Sequence, residues 1–176
     1  TPEKPGRLLG YKELHARRAP GNTCLGALRG GKPGDRRNPL NDSKGAGGIM
    51  RVAPVGLFML NPGRAFQAGC DTAALTHGHR TGWLAAGAFA MILSQLIAGE
   101  GLRRAAYRAR RHLKRTSYWN NECAEAIEKA LDVTDSGPPV TPETIRSLGE
   151  GWVAEEALAI SLACALAAGG DFERGV

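Results

Sequence analysis

Apolar positions along most of the chain recur every three or four residues, the spacing of one face of a helix. The clearest case is Cys123, Ala126, Ile127, Ala130 and Leu131, at i, i+3, i+4, i+7 and i+8. Glu122, Glu125 and Glu128 fall on the other side, so the pattern predicts a helix with one buried and one wet face. Asn120 or Asn121 stands where its cap belongs. The uncharged run from Gly82 to Gly99 contains Ser94 and Gln95 and sits at the lower edge of the roughly 17–25 residues of a membrane span. It reads as a buried core helix capped by Thr81. A last helix runs from about Trp152 to Ala168. It is nearly apolar all round after Glu156, which predicts a central place in the core.

Punctuation divides the rest. A short helix over Leu8 to Arg18 stops at Pro20-Gly21, and Asn22 or Thr23 then caps a helix to about Arg29. Gly30 to Asp42 is a loop. A helix from about Gly48 to Leu60 is closed by Asn61-Pro62-Gly63, and another covers Arg64 to Thr76, ending near His77-Gly78. Ser136 to Pro139 is a loop, and Thr141-Pro142-Glu143 opens a helix with a cap residue and Pro at its first position. No internal repeat is visible.

Composition agrees with helices. Ala and Leu together number 46, against 12 for Val plus Ile. With 176 residues and 43% hydrophobic content the chain fits one compact, multi-helix, all-α domain. The net charge of +6 is uneven: residues 1–118 carry +14 and residues 119–176 carry −8. A basic first part attracts phosphates at a distance, or the two parts simply compensate each other. Cys24, Cys70, Cys123 and Cys164 lack metal-ligand spacing and read as free thiols, which with no visible signal peptide points to the cytoplasm. A core helix so close to Val176, and an equally unanchored start, suggest an interior piece of a larger domain whose terminal segments are missing.

Four stretches carry candidate chemistry. Ser43-Lys44-Gly45-Ala46-Gly47-Gly48-Ile49-Met50-Arg51 places three glycines in four positions before a helix. Glycines permit unusual φ and close ligand approach, and a helix N-terminus favours an anion, so a diphosphate site follows. Ser43 would add a hydroxyl and Lys44 a charge. The stretch is neither a Walker A loop nor part of a βαβ unit, and a glycine-rich helix opening without ligand is an equal alternative. His77 and His79 offer metal or ligand contacts, or else a polar helix terminus, the plainer reading. Arg103, Arg104, Arg108, Arg110, Arg111, Lys114 and Arg115 form either a nucleic-acid surface or, more commonly, a solvated helix face. Glu155 and Glu156 are acid/base candidates, or they complement a helix dipole.

Taken together and in order, Gly21-Asn22-Thr23, Asn41 to Pro54, Thr76-His77-Gly78-His79 with Thr81 to Ala85, and Gly149 to Leu158 resemble the ADP-ribosylglycohydrolase family, which includes the dinitrogenase reductase-activating glycohydrolases. The resemblance covers about residues 21–170. It implies a compact all-α fold and a hydrolase that removes ADP-ribose from modified side chains, usually arginine, with two magnesium ions. By position, Ser43, Lys44, Gly45, Ala46, Gly47, Gly48 and Met50 would hold the diphosphate and ribose, and His77 would contact the ADP-ribose, with Asn22 a further cleft residue. The chain departs from the family at Arg80, where Pro is usual, and at Ala46, where Cys or Asn is common. It also lacks the Thr-Asp-Asp and Asp-x-Asp-Ser-Thr segments that bear the metal ligands. The implied partners are ADP-ribose or an ADP-ribosylated protein, with no membrane and with nucleic acid disfavoured. The expectation is binding without hydrolysis by these residues alone. A non-catalytic ADP-ribose-binding relative and a basic nucleic-acid module are the alternatives.

Overall fold

The computed structural model describes residues 10–16, 18–116, 122–135 and 139–176. Among them the fold is all-α. The helices are α1 (Asn22–Arg29), α2 (Ala53–Phe58), α3 (Pro62–Ala74), α4 (Arg80–Ile97), α5 (Leu102–Thr116), α6 (Glu122–Asp135), α7 (Pro142–Arg146), α8 (Ala154–Ala168) and α9 (Phe172–Gly175). Short 3-10 turns cover Lys12–His15 and Ile49–Arg51. No helix among the described residues is long and apolar enough to cross a membrane.

The centre is α4, with twelve of its eighteen residues buried. Helices α2, α3, α5 and α8 pack around it, and α6 fills the space between α5 and α8. Small residues make these crossings close. A Cβ at Gly56 would lie 2.6 Å from the Ala90 carbonyl oxygen, and one at Gly69 would lie 3.0 Å from the Ala86 carbonyl oxygen. A Cβ at Gly87 would lie 2.7 Å from the Phe66 carbonyl oxygen. Backbone therefore sits where side chains usually separate helices, and α2, α3 and α4 interlock through missing methyl groups. Ser94 and Gln95 satisfy themselves on carbonyls: Ser94 Oγ donates to Met59 O at 2.6 Å and Gln95 Nε2 to Met91 O at 3.1 Å.

Several expected boundaries shift. Asn61-Pro62-Gly63 does not close a helix but opens α3: Asn61 accepts the Arg64 N–H at 3.0 Å and Pro62 takes the first position, where a missing N–H costs nothing. The stretch expected as one helix from Gly48 to Leu60 is a 3-10 turn followed by the six-residue α2. Asn22 is the first residue of α1 and not its cap, which is Gly21. His79, not Thr81, caps α4, its Nδ1 accepting the Thr81 N–H at 3.1 Å. Of the early helix expected over Leu8 to Arg18, only the 3-10 turn forms among the described residues. Helix α8 lies against α4 and α6 with seven of fifteen residues buried, so it flanks the core and α4 takes the central place. The basic segment is the regular helix α5. Thr141 caps α7 through a reciprocal box with Thr144, as the sequence predicts. The caps expected at Asn120 or Asn121, and residues 136–138 of the following loop, lie outside the described residues.

Candidate functional site

The glycine-rich segment forms a turn between α1, the α3–α4 junction and the start of α8. None of Gly45, Gly47 or Gly48 has a positive φ, so unusual backbone conformation is not why glycine stands there. At Gly47 the reason is His77. Its side chain is buried, only 2% of the residue exposed, and the turn wraps around the imidazole. A Cβ at Gly47 would lie 3.1 Å from His77 Cε1 and 3.2 Å from Cys24 Sγ, and one at Gly48 would lie 3.2 Å from Ala73 Cβ, with His77 Cγ at an ordinary 3.5 Å. His77 Nδ1 bonds Thr76 Oγ1 at 2.8 Å. Burial, and next the nearby Arg51 charge, hold its pKa below the ordinary histidine value, so the ring is neutral at pH 7.

Arg51 braces the turn from below. It donates to the carbonyls of Thr72 at 2.8 Å and Ala73 at 3.1 Å, and to Thr76 Oγ1 at 2.6 Å. These are the carbonyls at the C-terminus of α3, where a cation is favoured. Asn41 ties the turn to the junction. Its side chain donates to Thr76 O at 2.9 Å and accepts N–H groups from Ser43 at 3.0 Å and Gly78 at 3.1 Å. Gly78 is obligatory at this point, because a Cβ would overlap the Asn41 carbonyl oxygen.

On the far side the turn is stitched to the strand-like lead into α8. Gly45 and Val153 form an isolated antiparallel bridge. Ala46 N–H donates to Trp152 O at 3.0 Å and Ala154 N–H to Lys44 O at 2.8 Å. Gly149 and Gly151 supply the positive φ that this approach needs, and Glu156 accepts the Glu150 and Gly151 N–H groups at 3.1 Å each. The Trp152 side chain is left 81% exposed beside the turn.

Lys44 does not offer its charge to the turn. Its ammonium is paired with Glu155 and, at 3.0 Å, with Glu122, which also accepts from Thr81 Oγ1 at 2.7 Å. The hydrogen bond to Glu155 foremost raises the Lys44 pKa. The Thr81 hydroxyl, then Lys44, hold Glu122 below the usual carboxylate range. One lysine against two carboxylates makes a clamp that fixes the turn to α6 and α8, so Glu155 serves it and not the helix dipole alone.

The structure thus brings together Ser43, Lys44, Gly45, Ala46, Gly47, Gly48 and His77. Met50 points outward, 78% exposed. Asn22 is exposed, and its neighbour reaches the turn instead: Thr23 Oγ1 lies 2.9 Å from Ser43 Oγ. A groove of about 360 Å³ runs between α1 and the turn, with Thr23, Asn41 and Ser43 as its polar lining. None of the described hydrogen bonds engages the N–H of Gly47 or Gly48. Thr23, Asn41 and Trp152 lie inside the family-like stretches but are not singled out there as site residues, and Glu122 reads in the sequence only as part of a wet helix face. Only the run of glycines around Trp152 hints at a special backbone there. His77 and His79 separate, one inward and one capping α4, and do not converge on a common ligand.

The comparisons agree with this architecture. No curated protein and no solved structure matches the chain. The family profile for ADP-ribosylglycohydrolase matches residues 6–176, spanning the glycine turn, the buried histidine and the lead into α8, and the chain belongs to that family.

Proposed function

We propose that the turn from Ser43 to Gly48 binds the ADP-ribose of a modified protein side chain, arginine by preference, within a hydrolase of this family. The diphosphate would lie against the Gly47 and Gly48 N–H groups and the Ser43 hydroxyl. The flat base would stack on the exposed Trp152, and Thr23 and Asn41 would face the ribose. Backbone donors suit this task because they carry no charge that must first be freed from a partner. The fixed turn would hold the remote end of the substrate and so orient the anomeric carbon, where the glycosidic bond breaks and water adds.

One observation supports this reading above others. Gly45 has room for a side chain: its nearest neighbours would be Ser43 Oγ at 3.5 Å and His77 Nε2 at 3.7 Å, ordinary contact distances, and its φ is not positive. The fold does not require glycine there, whereas a ligand approaching the backbone does. Gly45→Ala is therefore expected to leave the melting temperature within a few degrees, as for a change under about 0.5 kcal/mol. It should weaken ADP-ribose binding at least tenfold in calorimetry. Unchanged affinity would remove the turn from the site.

The family's metal pair finds no donor set here. Among the described residues no three His, Cys, Asp or Glu side chains converge on a common point, and the two carboxylates that reach the turn from α6 and α8, Glu122 and Glu155, already hold the Lys44 ammonium. No step is assigned to a metal on these residues. The reading is that these 176 residues bind ADP-ribose without hydrolysing its conjugates. Magnesium-dependent release of ADP-ribose from ADP-ribosyl-arginine by this polypeptide would refute it.

A further inference from the structure

Helix α5 carries a feature that ADP-ribose binding does not use. Its inner face, Ala105, Ala106, Ala109 and Leu113, is buried against the core. Its outer face presents Arg104, Arg108, Arg111 and Arg115, at i, i+4, i+7 and i+11. At 100° per residue these fall within about 60° of arc, and at 1.5 Å per residue they span about 16 Å. The four form one straight stripe, in an open groove of about 530 Å³ lined by six Arg and Lys side chains and Tyr107.

Charge on this helix is sorted into two flanks. On the α6 side the cations are answered: Arg103 by Asp135, Arg110 by Glu128, and Lys114 by Glu128 at 3.3 Å. On the outer stripe a single carboxylate, Glu100, meets two guanidinium groups, Arg104 at 3.2 Å and Arg108 at 2.8 Å. Among the described ion pairs Arg111 and Arg115 take no carboxylate, and residues 101–121 of the sequence contain no acid. Acids are abundant one helix away, on α6, so the stripe is not simply a face lacking neighbours to pair with.

We infer that this stripe docks the phosphate backbone of a double-stranded nucleic acid. Four guanidinium groups spaced by one helical turn or slightly less complement a rigid row of phosphates, each able to take a forked pair of hydrogen bonds. The outer face offers no Asn, Gln, Asp or Glu to pair with the edges of adenine or cytosine, so the contact is chiefly to backbone and independent of sequence. Tyr107 is the one aromatic of the groove, and its hydroxyl is engaged with Asp135 at 3.4 Å. Single strands are held mainly by stacking platforms, which this face does not supply. Nor does it carry the exposed apolar side chains that would seat a helix in a lipid surface.

Fluorescence anisotropy of the 176-residue chain with a short labelled DNA duplex of mixed sequence tests this. Four neutralised phosphates give a salt slope of about −3.6, a loss of about 100-fold in affinity between 50 and 200 mM salt. Arg111→Gln should lower that slope by about one, whereas Arg103→Gln, which removes the same charge from the α6 flank, should leave it unchanged. Saturating ADP-ribose should leave duplex binding intact. Absence of binding at 50 mM salt, equal effects of the two substitutions, or competition by ADP-ribose would overturn the inference. Tighter binding to a single strand or to phosphatidylserine vesicles than to the duplex would overturn it as well.

Discussion

Two sets of glycines in this molecule look alike in sequence and do opposite things. Gly56, Gly69 and Gly87 lie inside helices and bring backbones together, each against a neighbouring carbonyl. Gly45, Gly47 and Gly48 lie in a turn around a ring: a Cβ at Gly47 would press on His77 and one at Gly48 on Ala73, while Gly45 keeps room for a side chain. The first set answers to packing density, which admits no local remedy. The second answers to one side chain and to whatever lies on the other side of the turn. The difference teaches that glycine-rich does not mean flexible. The turn is bonded on every side, held by Asn41, Arg51, the Lys44 clamp and the bridge to Val153.

Substitutions separate the two sets, in descending size of effect. Gly87→Ala drives a methyl group into the Phe66 carbonyl and the Cys70 thiol, and should cost about 3 kcal/mol or more, read as a lost or steeply lowered urea midpoint. A variant as stable as wild type would mean that the α3–α4 crossing can open. Glu155→Ala leaves Lys44 with the half-exposed Glu122 alone, and about 2 kcal/mol should be lost in the same assay. If stability is unaffected, the clamp does not hold the turn. Gly47→Ala meets only the ring edge and the Cys24 sulfur, which can each yield a few tenths of an ångström, so about 1 kcal/mol is expected. A loss as large as that of Gly87→Ala would erase the distinction between the sets.

The smallest effect is a pH dependence. His77 and His112 are both pushed below the ordinary histidine value, His77 by burial and Arg51, His112 by burial beside Phe66 and by Arg115. A lowered folded-state pKa means that the unfolded chain takes up the proton first. Stability is therefore full above about pH 6.5 and declines as pH falls through the lowered values. Below the ordinary carboxylate range Glu122 adds a second loss of the same sign. Melting curves between pH 7.5 and 5 should show the first decline, and His77→Gln should flatten it. A slope unchanged by the substitution would contradict the burial of the imidazole.

Much of the fold was legible because helix periodicity is local. The positions of α3, α4, α6 and α8, and the Thr141 cap, follow from residues within a few places of one another. Asn61-Pro62-Gly63 misleads because Asn and Pro punctuate either end of a helix, and only the Asn61 bond to the Arg64 N–H decides which. The site was legible in its parts and not in its wiring. Nothing near Lys44 in sequence announces carboxylates 78 and 111 residues away. Nothing near Gly47 announces that its companion is His77 rather than a ligand alone. Trp152, expected as the first residue of a helix, stands outside α8 because Val153 is extended and caps it.

The bridge between Gly45 and Val153 makes Trp152 and the turn a single lever. Because Ala46 N–H is bonded to Trp152 O, a ligand that shifts the turn must also shift the backbone carrying the exposed indole. The chain thereby carries its own optical probe, an indole in contact with solvent and bonded through its backbone to the turn. A ligand that shifts the turn should change the emission of that indole before any helix moves, so occupancy can be followed without a label attached to the protein.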